Sequence, residues 1–152
     1  MTKAFFAGSF HPFTIGHASI VERALNIFPD GVVIAIGANA GKPESMAGAE
    51  DRRAHIAELY AGEPKVEVIV YTNLTVEAAR AAGATVLLRG VRSVADFEYE
   101  RNMAMLNRRI SGIETLLMYA LPELECVSSS AVRELQAYGM DVSDMLPDLQ
   151  KE

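Results

Sequence analysis

A chain of 152 residues, half of them apolar and 22% charged, has the length and composition of one soluble globular domain that buries roughly two thirds of its unfolded surface. Its formal charge of −6 argues against a nucleic-acid binder held by a broad basic face, and admits anionic small molecules only where basic residues gather locally. The single cysteine, Cys126, excludes an internal disulfide and a cysteine-rich zinc site, and with no signal-peptide core or membrane-length apolar run the expected location is the cytoplasm.

The run Lys3-Ala-Phe-Phe-Ala-Gly8 reads as a first strand, and residues 8–13 as the turn that leaves it. From Gly16 a helix pattern begins, with Ile20, Val21, Ala24, Leu25 and Phe28 on one face. Val32-Val-Ile-Ala-Ile36 is a second strand closed by Gly37, followed by a polar loop over 38–48. A helix is predicted over 50–60, with Ile56, Leu59 and Tyr60 inward and Arg52 and Arg53 on the solvated side. A third strand covers 66–70, and a short helix over 76–82 stops at Gly83. The fourth strand, 85–88, ends at Arg89-Gly90, and a helix over 93–110 follows. That helix carries two apolar sets, Ala95, Tyr99, Met103, Leu106 and Ile110 on one side and Val94, Phe97 and Ala104 on another, so it is expected to be covered twice. A fifth strand spans 115–119, a helix spans 129–136, and the acidic tail over 141–152, interrupted by Pro147, reads as a short helix and a frayed end.

Strands alternating with helices imply parallel βαβ crossovers. Near-continuous apolar strands fit burial on both faces. The expected fold is therefore α/β: a single-domain, Rossmann-like, doubly wound parallel sheet of five strands with helices on both faces, over residues 1–152.

In such a sheet, ligands bind at the carboxyl ends of the strands, where free helix N–H groups favour phosphate. Gly8, Ser9, Gly16 and His17 gather at one such end, and His17 adds a donor that can become cationic as an oxyanion forms. Lys42 follows the second strand, Arg89-Gly90-Val91-Arg92 the fourth, and Ser128-Ser129-Ser130 the fifth. Together these place cations and a serine-rich helix start on one edge, as phosphates require. Each has a plainer reading. His17 can simply begin a buried helix, Lys42 can be solvated, Arg89 and Arg92 can pair with Asp96 or Glu98, and the serines can cap their helix. His55 lies away from this edge, and no carboxylate pair is spaced for a metal box, so Mg²⁺ is expected to arrive on substrate phosphates. Walker, nucleophile-elbow and dinucleotide signatures are missing.

Four segments carry a resemblance to a known family: Gly8-Ser-Phe-His-Pro-Phe-Thr-Ile-Gly-His17, Arg89-Gly-Val-Arg92, Ala95-Asp-Phe-Glu-Tyr-Glu100 with Asn107-Arg108, and Val127-Ser-Ser-Ser130. In order and spacing the chain resembles the phosphopantetheine adenylyltransferases, nucleotidyltransferases of coenzyme A synthesis. The family moves the adenylyl group of ATP to 4′-phosphopantetheine, releasing pyrophosphate. Carried over by motif, the resemblance implies ATP contacts at Ser9, Phe10, His17, Gly90, Val91, Arg92, Glu100, Leu124, Glu125, Cys126, Val127, Ser128, Ser129 and Ser130. It implies phosphopantetheine contacts at Ser9, Lys42, Thr75 and Arg89, with His17, Lys42 and Arg92 acting in the chemistry. A homohexamer and inhibition by coenzyme A are further implications. Two departures stand out: His11 replaces the family's usual Asp, and Lys42 is followed by Pro-Glu-Ser-Met-Ala rather than Lys-x-x-Phe. The rival readings are another small nucleotidyltransferase, with nicotinamide mononucleotide or glycerol phosphate as acceptor, and a non-catalytic nucleotide-binding module.

Overall fold

A computed structural model describes residues 2–147. Its elements run β1 (Ala4–Gly8), α1 (Ile15–Leu25), β2 (Val32–Gly37), α2 (Pro43–Leu59), β3 (Val66–Tyr71), α3 (Thr75–Ala81), β4 (Val86–Val91), α4 (Val94–Ser111), β5 (Glu114–Tyr119) and α5 (Ser129–Ala137). The five strands form one parallel sheet in the order β3-β2-β1-β4-β5. β1 therefore sits at the centre, between β2 and β4, with Phe6 beside Ile34 on one side and Leu88 on the other. Chain progression reverses direction across the β1–β4 boundary, which opens a crevice at the carboxyl ends of those two strands.

The side-chain alternation of the strands divides the core in two. Phe6, Ile34 and Leu88 face α1 and α2, where Ile20, Val21, Ala24, Phe28 and Ile56 pack. Phe5, Val33 and Leu87 face the opposite layer with Val76, Ala79 and Ile113. Burial on both faces explains why the central strands are apolar at every position, and it confirms the doubly wound reading.

Local boundaries differ from the sequence expectation in ways that matter for the site. β4 runs on through Val91, so Arg89 and Gly90 lie within the strand rather than after it. Pairing with β5 through Val91↔Tyr119 extends it. α2 starts at Pro43, not near residue 50, because a proline in the first turn has its φ already set for a helix and an N–H that is not needed. The polar loop therefore ends at Lys42. α4 begins on a Ser93 cap that accepts from Asp96 N–H and ends at Gly112, whose φ of 78° suits a left-handed stop. Glu100 is the only buried residue of α4, and both of its apolar sets are largely exposed. The tail contributes one 3-10 turn, Ser143–Met145, and the part of the predicted frayed end over residues 148–152 lies outside the described residues.

Candidate active site

The turn after β1 builds the floor of the site. Phe10 adopts a left-handed backbone (φ 48°), and its ring packs edge-on against Phe6, Phe13 and His17. A Cβ at Gly8 would lie 3.1 Å from Phe10 Cζ, so a side chain there would push the ring by a few tenths of an ångström. Thr14, fully buried, caps α1: its Oγ1 accepts from the N–H groups of Gly16 (3.2 Å) and His17 (3.4 Å). In return the Thr14 N–H donates to His17 Nδ1 at 2.9 Å, a reciprocal capping box with histidine in the place usually taken by Glu or Gln.

That bond sets the tautomer. An amide N–H can only donate, so Nδ1 is the unprotonated acceptor and the ring proton sits on Nε2. The ring stacks on Phe13 at 5.4 Å and 26°. Burial, with the nearby Arg92 and Arg89 charges adding to it, lowers the His17 pKa from 6.5 to about 4. At neutral pH His17 is therefore a neutral Nε2–H donor.

Around it lies a cleft of about 430 Å³. It is lined by Ser9, Phe10, His17, Gly90, Val91, Arg92, Glu100, Leu124, Val127, Ser128, Ser129 and Ser130, which come together from the turn after β1, α1, the end of β4, α4 and the segment that leads into α5. A second cavity of about 270 Å³ is lined by Ser9, Thr75 and Arg89 together with Tyr71, Met103, Asn107 and Thr115. Ser9, Arg89, Tyr99 and Glu100 line both cavities, so the two share a wall. Three of the predicted residues stand apart. Lys42 is exposed at the start of α2 and lines neither cavity. Glu125 lines a surface groove that adjoins the cleft at Val91 and Arg92 but not the cleft itself, and Cys126 is exposed outside the cleft.

The charged residues are paired in specific ways. Arg89 does not pair with Asp96 or Glu98 but grips Glu100 in a two-pronged bond, Nε to Oε2 at 2.9 Å and Nη2 to Oε1 at 2.8 Å. It also donates to the Ala7 carbonyl. Arg92 keeps Asp96, whose carboxylate accepts the Arg92 N–H at 3.1 Å. Ser128 is a helix cap, accepting from Ala131 N–H at 3.1 Å, while Ser129 donates to the Pro12 carbonyl at 2.7 Å and ties α5 to the turn after β1. The plain capping reading thus holds for Ser128 and not for its neighbour. Among the described residues no group of three or more His, Cys, Asp or Glu is placed to hold a metal ion. The described residues also include no helix long and apolar enough to cross a membrane.

Two arginines missed by the sequence reading belong to this region. Arg133 lines the cleft and donates to the His11 carbonyl. It sits one turn after Ser129 and Ser130, and that spacing could have revealed it. Arg52, assigned to the solvated side of its helix, instead reaches the Ser9 carbonyl at 2.9 Å. Nothing local in the sequence marks that contact.

Known proteins share this architecture and sequence. The cytidylyltransferase-like family profile matches residues 5–135. A phosphopantetheine adenylyltransferase from Porphyromonas gingivalis is 55% identical over 145 residues, covering 95% of this chain and 94% of that protein. Enzymes of the same name from Bacteroides thetaiotaomicron and Flavobacterium psychrophilum are 47% and 43% identical, each over 97% of both chains. A crystal structure of NadR protein in complex with NAD and AMP-PNP shares the fold, with a TM-score of 0.59 at 14% identity, over 90% of this chain and 43% of that one. With a profile match over most of its length and relatives aligned nearly end to end, this chain belongs to the cytidylyltransferase-like family and, within it, to the phosphopantetheine adenylyltransferases.

Proposed function

We propose that the two adjoining cavities are the ATP and 4′-phosphopantetheine compartments of an adenylyl transfer that yields dephospho-coenzyme A and pyrophosphate. The observation that carries this assignment is the shared wall: Ser9 and Arg89 line both cavities, whereas His17, Arg92 and the Ser128–Ser130 stretch line only the first. Two anions brought to opposite sides of one wall meet at Arg89.

An oxygen of the acceptor phosphate attacks the α-phosphorus of ATP in line, the new P–O bond forming as the bond to the β-phosphate oxygen breaks. The electron pair leaves with pyrophosphate. The nucleophile is already anionic, so no strong base is needed, and catalysis is positioning and charge stabilisation. Arg89 offers its remaining N–H groups to the acceptor phosphate. The His17 Nε2–H, Arg92 and the first-turn N–H groups of α5 serve the α-phosphoryl oxygens and the phosphates beyond them. Lys42 would act from the start of α2, which must approach the acceptor for it to do so. Asp96 and Glu100, the carboxylates of the first cleft, are each engaged by an arginine. Mg²⁺ therefore enters as part of the MgATP substrate, held by the phosphates.

The same reading takes residues 1–152 as one nucleotidyltransferase domain acting in the cytoplasm as a homohexamer and inhibited by coenzyme A. Support for an assembly comes from the exposed apolar side chains of α4 and β5. Incubating the protein with MgATP and 4′-phosphopantetheine, nicotinamide mononucleotide or glycerol phosphate, and measuring pyrophosphate, tests the acceptor. Turnover is expected with phosphopantetheine; turnover only with another acceptor, or ATP binding without turnover, refutes the reading.

A further inference from the structure

Side chains from three elements hold the end of β1 and the turn after it by their carbonyl groups. Arg89 in β4 donates to the Ala7 oxygen, Arg52 in α2 to the Ser9 oxygen at 2.9 Å, and Arg133 in α5 to the His11 oxygen. The carbonyls at 7, 9 and 11 are therefore each capped by a guanidinium. Arg89 and Arg133 line the nucleotide cleft, so they face the ligand as well as the turn. Arg52 does not line it, and its guanidinium meets the site through the Ser9 carbonyl.

A peptide unit is planar and trans, so its C=O and N–H point in opposite directions. Holding the Ser9 oxygen therefore also fixes the direction of the Phe10 N–H. The alternative orientation of that unit would turn a carbonyl oxygen, the negative end of a dipole of about 3.5 D, toward a polyphosphate. Phe10 has a left-handed backbone that no glycine relaxes, so the peptide must be held by its surroundings. The Phe10 ring packing holds one side of it, and on the other side Arg52 provides the clasp.

We propose that Arg52 is a positioning residue for adenylyl transfer: by clasping the Ser9 carbonyl from outside the cleft, it keeps the Ser9–Phe10 peptide oriented with its N–H, not its oxygen, available to the ATP phosphates. The inference rests on assigning the first cleft to ATP.

A pair of variants isolates the clasp from the charge. Arg52→Gln places an amide nitrogen where the arginine Nε stood, keeping a donor and removing the charge, while Arg52→Met places a methyl group there. Calorimetric titration with ATP, together with steady-state kinetics, is the readout. Arg52→Met is expected to raise the Kd for ATP and to lower kcat/KM by about tenfold each, the scale of one charge-assisted hydrogen bond partly exposed to water. Arg52→Gln should stay within about twofold of the parent protein, a difference below half a kilocalorie per mole. If both variants lose equally, Arg52 acts through its charge and the clasp is wrong. If Arg52→Met matches the parent in Kd and kcat/KM, or changes only the melting temperature, the clasp is wrong as well. His17→Ala tests the underlying site separately: where the cleft binds ATP it lowers kcat whatever Arg52 does, so the two failures are distinguishable.

Discussion

The Thr14 backbone N–H and His17 Nδ1 are joined at 2.9 Å, and this bond decides which face of the imidazole meets the cleft. With Nδ1 occupied as an acceptor, Nε2 carries the proton and is the only ring nitrogen that can donate to a phosphoryl oxygen. Nitrogen-15 spectra at neutral pH should show a protonated Nε2 and an unprotonated Nδ1. His17→Ala should lower kcat by roughly 10²–10³ with the fold intact, the scale of one lost oxyanion donor. A near-normal kcat would remove His17 from the chemistry.

The Thr14 hydroxyl gives that arrangement its stiffness. Thr14→Val keeps the volume but removes the oxygen that accepts from Gly16 and His17 N–H. Stability should fall by about 1 kcal/mol, as for other lost helix caps. A loosened histidine should also cost kcat more than KM, and Thr14→Ser should restore both. Equal effects of Val and Ser would show that the hydroxyl has no part in aiming the ring.

His17 also gives stability a defined pH dependence. Its folded pKa of about 4 lies below the ordinary 6.5, so between these values the unfolded chain binds a proton that the folded chain does not. Stability therefore rises with pH across this window and is lost as pH falls through it, by up to about 3 kcal/mol from this one group. Urea melts of the protein and of His17→Asn, taken at pH 7 and at pH 4.5, measure the difference. The variant should lose less on acidification, and equal losses would refute the shift.

Arg89 and Arg92 should separate by ligand and by stability. Arg89 lines both cavities and neutralises the buried Glu100, whereas Arg92 lines the first cleft and the groove beside it, not the second cavity, and pairs at the surface with Asp96. Arg89→Ala should weaken phosphopantetheine binding more than ATP binding, and Arg92→Ala the reverse. Arg89→Ala should also destabilise the fold by about 3 kcal/mol, at the low end for a broken buried pair because the arginine is itself partly exposed. Adding Glu100→Gln should recover part of that loss. Separate titrations of each ligand decide the division; if Arg89→Ala weakens ATP alone, it is wrong.

Val94 (77% exposed), Leu106 (51%) and Ile110 (53%) on α4 and Leu116 (47%) on the edge strand β5 leave an apolar surface that a monomer would present to water. Light scattering should find a closed oligomer at micromolar concentration, and Ile110→Asp should dissociate it. A stable, active monomer of the unaltered protein would overturn the expectation.

The strand–helix alternation, the two-faced burial of the central strands and the gathering of Ser9, His17, Arg92 and Ser128–Ser130 at one sheet edge were legible in the sequence. Periodicity and turn chemistry are local, and parallel crossovers leave few ways to arrange what they specify. The start of α2 at Pro43 rests on a local cause, a proline in the first turn, and was within reach of the sequence; the extension of β4 through Arg89 was not, because it depends on pairing with β5, which lies far along the chain. The same holds for the site's finer order. That Arg89 meets Glu100, that Arg52 and Arg133 reach the turn after β1, that Lys42 stands outside both cavities, and that His17 is neutral all follow from packing. An arginine's reach and a histidine's desolvation are set by which elements enclose them. Only the assembled sheet decides that.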